Sequence, residues 1–298
     1  ERVKATLLGA REMRTRPFCD DKILADWNGL AIAALAMAGR ASGRRVYLDA
    51  AEKAASFILS RMRMDDGGLY HRFRDGSAGI PGLSADYAAM VWGLLELSVA
   101  TRDPRHLESA LLLEDYHDSH FWDNRSGGYF TSPVSATDLF ARKKEFADGA
   151  IPSPNSVSFC NLVRLGLLTG EERYSRRADA LSRLYSPLVE NGPASCGLFM
   201  AGFTLSRGPA TRVVVTGKET DPAFLARMSS LTTITSPSQS PSHWNTGRMK
   251  ISSSASPLRL PRIASRESQQ SPMSAQGVHA HHLRSLWRTS RQGSDEAS

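Results

Sequence analysis

Three stretches of this sequence are apolar nearly all the way round a helix, and each is followed by a stretch that is apolar on one side only. The first kind is "DWNGLAIAALAMAGR", "ADYAAMVWGLLELSVAT" and "PNSVSFCNLVRLGLLTG". A helix without a polar face must be buried on all sides. The second kind includes "YLDAAEKAASFILSRM", where Leu48, Ala51, Ala55, Ile58 and Met62 recur at helical spacing while Asp49, Glu52, Lys53 and Ser60 take the other face. "YSRRADALSRLYSPLV" repeats the pattern with Tyr174, Ala178, Leu181, Tyr185 and Leu188. Short polar turns ("ASGRR", "TRDPR", "TGEER") join the two kinds, and a glycine-bearing loop closes each pair ("DDGGLYHRF", "NRSGGYFTS", "ASCGLFMAG"). Asp26 to Asp86 is 60 residues and Asp86 to Asn155 is 69, so the plan is a repeat of hairpins, none of which can bury its apolar face alone.

Fully buried helices alternating with half-buried ones give an inner ring and an outer ring. The expected fold class is therefore mainly α, a partial (α/α)6 toroid of about three helical hairpins. The helix-like "ERVKATLLGAREM" reads as the outer helix of a preceding hairpin, and the opening on Glu1 reads as a fragment. Helices near 27–40, 85–100 and 155–168 are expected to be buried, and those near 47–62 and 174–188 half exposed. Half a closed ring exposes apolar flanks, so poor stability in isolation is expected. An open α-solenoid is the alternative architecture.

In a toroid the inner helices all start at one end, and their N-termini direct partial positive charge into one mouth. Asp20, Asp21, Asp26, Trp27, Asn28, Asp86, Tyr87, Asn155 and Ser156 would gather there. Acids that move protons, amides that bond hydroxyls and aromatics that stack suit a polyhydroxyl ligand.

"RTRPFCDDKILADWNGLAIAALAMAGR" and "RKKEFADGAIPSPNSVSFCNLVRLGLLTG" resemble the thioredoxin-like, spermatogenesis-associated family over roughly residues 1–228. The resemblance implies a six-hairpin α/α barrel similar to those of the six-hairpin glycosidases and of N-acylglucosamine 2-epimerase. In that family a thioredoxin-like domain lies upstream of the barrel. It is absent from this chain, so no redox function is assigned here. Pro154 stands where the family usually carries glycine.

The site expected from these readings has Asp26, Asp86 and Asp148 as catalytic acid/base groups. Asp20, Asp21, Trp27, Asn28, Tyr87, Arg142, Glu145 and Asn155 are its substrate-binding groups. Each has a plain structural counterpart: acids near a helix start cap it, Asp21 and Lys22 form a pair, aromatics at a helix start pack in the core, and Asp148-Gly149 makes a turn. His71, His117 and His120 are further candidate bases or ligands, but no set stands at metal-ligand spacing, so no metal and no cofactor is expected. "VVVTGKETD" lacks the spacing of a phosphate loop.

The partner expected is a carbohydrate-like small molecule. Of the net charge of +7, residues from 229 onward supply +5 (eight Lys/Arg against three Asp/Glu), which leaves +2 on the rest and gives no case for nucleic acid. The longest apolar run, 29–39, is shorter than the ~20 residues of a membrane span. Three scattered cysteines, Cys19, Cys160 and Cys196, fit a reduced cytoplasmic setting.

The expected domains are 1–207, the partial barrel; 208–228, a β-α appendage around "TRVVVTGKETDPAFLARM"; and 229–298, a Ser-, Pro- and Arg-rich disordered tail. Composition breaks abruptly where a returning strand is due, as a shifted reading frame would produce. Two functions follow. In one, the mouth processes a carbohydrate by epimerase- or glycosidase-like acid/base chemistry. In the other, the toroid is a non-enzymatic scaffold that binds a metabolite or partner for the missing thioredoxin-like domain.

Overall fold

A computed structural model describes residues 2–208, 221–223 and 226. The appendage and tail expected at 208–298 therefore lie almost wholly outside the described residues. The described part is a partial α/α toroid. The element order is α1 (Arg2–Glu12), β1 (Ile23–Leu24), α2 (Ala25–Ser42), α3 (Arg45–Arg61), β2 (Tyr70–Arg74), β3 (Ser77–Pro81), α4 (Ser84–Thr101), α5 (Pro104–Phe121), α6 (Pro154–Thr169), α7 (Glu172–Asn191) and α8 (Gly197–Arg207). Inner helices α2, α4 and α6 alternate with outer helices α3, α5 and α7. The last glycine loop does not close a unit: it becomes a 3-10 turn (Pro193–Cys196) that opens α8, which packs on α6 through Phe199 and Phe159 with ring centroids 4.5 Å apart.

Local chemistry sets the helix ends. α2 and α6 stop at left-handed Gly43 and Gly170, the conformation that glycine adopts without a Cβ clash. Asp103 caps α5 with Pro104 at the first helical position. Ser153 caps α6 with Pro154 in the same role, so the proline that departs from the family pattern fits the helix start, where its fixed φ is suitable and its missing N–H is not needed.

Burial separates the helices as the patterns require, with one exception. α4 and α6 are buried around most of their circumference, while α3 and α7 bury one face each. The pattern predicts an α2 buried all round, yet Trp27, Ala31, Ala34, Met37 and Ala41 form one exposed stripe along it. α2 packs on α3 and α4, and no described element covers its remaining flank. α1, also apolar in part, buries no residue.

The segment read as a glycine loop at 65–73 holds a strand. β1, β2 and β3 form an antiparallel sheet in that order, with Ile23 opposite Phe73 and Tyr70 opposite Pro81. Asp75 and Gly76 turn the hairpin with φ of 50° and 78°, the positive pair that an Asp-Gly hairpin turn demands. β1 leads directly into α2, and β3 leads through Gly82 into α4, so the sheet joins the N-termini of two inner helices. Gly82 donates its N–H to the Leu69 carbonyl at 2.7 Å, and a Cβ there would sit 2.7 Å from that same oxygen. Among the described residues no helix is long and apolar enough to cross a membrane.

Candidate functional site

The sheet brings three side chains together at the mouth: Asp26 from the first turn of α2, Asp86 from the first turn of α4, and His71 from the central strand. One potential ligand atom from each lies within 4.8 Å of the others.

Asp86 is fully buried. Its Oδ2 accepts the Leu83 N–H at 2.7 Å, turning back over its own helix start. Its Oδ1 accepts the Asp26 N–H at 2.9 Å, satisfying an orphan donor at the start of the neighbouring helix. His71 Nδ1 lies 2.9 and 3.0 Å from the two oxygens. The carboxylate thus fixes the imidazole and welds two helix starts. Nε2 of His71 has no partner among the described residues and sits on a ring that is part-exposed. The hydrogen bond that His71 donates to Asp86 raises its pKa above the usual 6.5, against the opposing effect of burial.

Asp26 accepts its neighbour Trp27's N–H at 2.8 Å through Oδ1. Its Oδ2 has no partner among the described residues. Burial, and next the charge of Asp86, raise its pKa above 3.8. The result is a more basic carboxylate beside a more stable imidazolium. The same three atoms are near enough to share a small cation. However, Nδ1 of His71 is committed to Asp86, and both Asp86 oxygens already accept backbone donors. The arrangement is a hydrogen-bonded dyad with a carboxylate beside it.

The other residues proposed from the sequence are placed as follows. Trp27 follows Asp26 in sequence but heads the exposed stripe on the uncovered flank of α2, with 62% of its surface exposed. Asn28 donates to the Leu24 carbonyl at 2.8 Å. Asp20 pairs with Lys22 at 3.1 Å, and Asp21 with Arg74 at 3.0 Å, both on the surface. Tyr87 is in the core, where it stacks on Tyr116 and its hydroxyl accepts the Leu69 N–H at 2.8 Å. Asn155 starts α6 as Asp26 and Asp86 start their helices, but it shares no hydrogen bond with them. It accepts the Tyr129 N–H at 2.8 Å and donates to the carbonyls of Tyr129 and Glu145 at 2.9 and 2.8 Å. Glu145 itself is exposed. Asp148 gives one oxygen to the Ser153 N–H and the other to the Leu198 N–H, each at 2.9 Å. Arg142 donates to the Ser132 and His120 carbonyls and lies over the Phe130 ring. Asn155, Asp148 and Arg142 thus hold the long loop at 122–153 through main-chain groups.

Behind the mouth lies a buried polar layer. Ser84 bonds Nε2 of His117 at 2.8 Å, and His117 stacks on Tyr129 at 4.1 Å. Burial drives the His117 pKa down to about 3, so the ring is neutral. The Tyr129 hydroxyl faces both Glu114 at 3.0 Å and Asp118 at 2.6 Å, and Arg177 pairs with Asp118 at 2.9 Å. One hydroxyl proton cannot serve two carboxylates. Burial, and then the charge of Asp118, push Glu114 up to about 8, so it is neutral at pH 7. A carboxyl whose folded pKa is raised contributes stability that is fully present below its unfolded value of 4.5 and is lost as pH rises through about 8. The urea midpoint should therefore fall between about pH 5 and 8 and level off above that, and Glu114→Gln, which mimics the neutral acid, should flatten that fall. Parallel pH profiles for the two proteins would refute the assignment.

No family model matches the chain. It is 34% identical over 221 residues to spermatogenesis-associated protein 20 of Rattus norvegicus, a match covering 71% of this chain and 28% of that protein. The human protein of the same name is 33% identical over the same length. The chain thus spans little more than a quarter of these relatives. Among solved structures, a GH76 α-mannanase from Bacteroides thetaiotaomicron superposes with a TM-score of 0.53 at 17% identity, over 74% of this chain and 60% of that one. A cellobiose 2-epimerase from Bacillus thermoamylovorans gives a TM-score of 0.47 at 16% identity, over 55% and 44%. Over those 221 residues the chain is homologous to spermatogenesis-associated protein 20, and it carries part of an α/α toroid whose fold is shared with the six-hairpin mannanase.

Proposed function

We propose that the mouth formed by α2, α4 and the β1–β3 sheet performs proton transfer on a carbohydrate-like substrate, with Asp26 as the base, His71 as the acid and Asp86 as the residue that positions His71. The observation that carries this reading is the pairing of a buried, saturated Asp86 with a His71 whose Nε2 is free, next to an Asp26 with one oxygen free. The fold shared with a mannanase supports the substrate class.

The geometry favours epimerisation or isomerisation over glycoside cleavage. Cleavage needs two working carboxylates flanking a bond, roughly 5 to 9.5 Å apart. Here Asp86 has no oxygen to spare, since both accept backbone N–H groups and face His71 Nδ1, so Asp26 is the one carboxylate left to work. In the proton-transfer reading, Asp26 Oδ2 takes the proton from the carbon next to the carbonyl of an open-chain sugar. The C–H electron pair becomes the C=C bond of an enediol, and the carbonyl oxygen takes the proton from Nε2 of His71. Reprotonation of the carbon then gives either the starting sugar or its isomer.

The test is to incubate the chain with reducing mono- and disaccharides in D2O and follow deuterium at the carbon next to the carbonyl by NMR. Incorporation above the uncatalysed rate is expected. Release of a reducing end without incorporation would favour glycoside cleavage. The absence of both across the panel would leave the scaffold reading.

A further inference from the structure

Three non-glycine residues among the described ones have a positive φ: Asp75 at 50°, Ile80 at 63° and Arg102 at 59°. Two of them have a local reason. Asp75 turns the β2–β3 hairpin, and aspartate tolerates this region better than most residues. Arg102 follows the last turn of α4, where helices commonly close on a left-handed residue. Ile80 has neither reason. It lies inside β3 and is branched at Cβ, which makes a positive φ a genuine outlier. Pro81 follows it, and a proline biases the residue before it toward extended backbone, which adds to the strain.

Burial does not offset that strain. Ile80 is 50% exposed and takes no part in the apolar core or in the side chains packed against it. The bend in β3 does not itself call for a side chain. Glycine takes a positive φ without a clash, and glycines stand on either side at 79 and 82. Position 80 therefore holds an apolar side chain that strains the backbone and covers little of the free protein.

The strand register says where that side chain stands. Tyr70 is opposite Pro81 and Arg72 is opposite Gly79, so the position between them puts Ile80 across from His71. Opposed positions in an antiparallel pair are ~4.5–5.5 Å apart at Cα. β3 is an edge of the sheet, and no further strand lies beyond it among the described residues. A molecule hydrogen-bonded to Nε2 of His71 is thus within reach of the isoleucine.

We infer that Ile80 is a substrate-contact residue of the mouth. Held away from the core by a strained backbone, it packs on C–H groups of the sugar beside the carbon that exchanges its proton, and it is buried only when that sugar is bound. The inference rests on the proton-transfer reading above and adds a specificity-determining residue to it.

The experiment follows deuterium incorporation by the full 298-residue chain over a range of concentrations of the sugar it turns over fastest, and measures the urea midpoint of each variant. Ile80→Gly should raise the midpoint, because glycine removes the strain. It should nevertheless raise KM by about tenfold or more, the usual effect of losing apolar groups from a binding contact, with a smaller change in kcat. Ile80→Leu keeps the apolar bulk and should hold KM close to that of the parent. Arg102→Gly relieves a positive φ at the far end of α4, and should raise the midpoint without moving KM. A raised midpoint with an unchanged KM for Ile80→Gly would make Ile80 a bend in the strand and nothing more, and would leave the proton-transfer reading standing. A lowered midpoint would show that the side chain is packed in the free protein, and would also overturn the inference. No incorporation by the parent chain would overturn both the inference and the reading beneath it.

Discussion

Gly29→Ala is expected to unfold much of the chain. A Cβ on Gly29 would lie 2.5 Å from the carbonyl carbon of Ala89, 2.6 Å from the Met90 nitrogen and 2.8 Å from the Ala89 oxygen. All three are backbone atoms, so no side chain can rotate away to make room. Gly93 meets the same interface from the other side, its would-be Cβ 2.7 Å from the Gly29 oxygen. α2 and α4 therefore touch main chain to main chain, and a single methyl must push the helices apart. Overpacking a core costs ~1–3 kcal/mol where neighbours can shift. Here they cannot, so a loss above about 3 kcal/mol is expected, a large share of the ~5–15 kcal/mol that holds a typical domain. The same displacement would break the bond from the Asp26 N–H to Asp86, so any surviving fold would have a damaged mouth. Gly9 is the control: nothing lies within 4 Å of its would-be Cβ, and alanine there should stabilise the α1 helix by up to ~1 kcal/mol. The readout is the urea midpoint of each variant. Similar small shifts for both would show that the helices are not in backbone contact.

Gly29 shows what a single sequence can and cannot tell. The all-round apolar pattern of α2, α4 and α6 was legible because composition and period report how much of a helix avoids water. The pattern does not report which neighbour does the covering. The alanine-rich stripe of α2 that looks buried by composition faces outward, since no described element lies against it. Asp26 and Asp86 could be paired because the repeat places both at inner-helix starts. His71 belongs to no repeat position. It reaches Asp86 through a hairpin whose only strong signal, Asp75-Gly76, follows a strand so rich in charge that it reads as loop. Trp27 and Tyr87 sit next to equivalent acids and have opposite fates, because one lies on the uncovered flank and the other under α5. Asp148, Asn155 and Arg142 were recognisable as polar groups on a long loop. Their partners are N–H and C=O groups of distant main chain, which every residue carries and no residue pattern marks.

Asp86→Asn is expected to reduce deuterium incorporation by ~10²–10⁴-fold, the usual worth of a positioned acid or base. The substituted amide could still accept a backbone N–H through its carbonyl oxygen, so part of the weld between α2 and α4 survives. What the variant loses is the negative charge that holds His71 Nδ1 and favours its protonated form. The pH profile separates this loss from mere instability. In the parent chain the rate should rise as Asp26 ionises, above its ordinary 3.8, and fall as His71 loses its proton, above its ordinary 6.5. Removing Asp86 withdraws the largest influence that raises His71, so the alkaline limb of the residual rate should move down toward 6.5. It also withdraws a charge that raises Asp26, so the acid limb should move down too. His71→Gln should abolish the alkaline limb altogether. The stability loss of Asp86→Asn should be ~1–3 kcal/mol, that of a buried group left partly unpaired. A variant that loses this stability and yet keeps both limbs where they were would reduce Asp86 to a helix cap, and the proton-transfer assignment to His71 would fall with it.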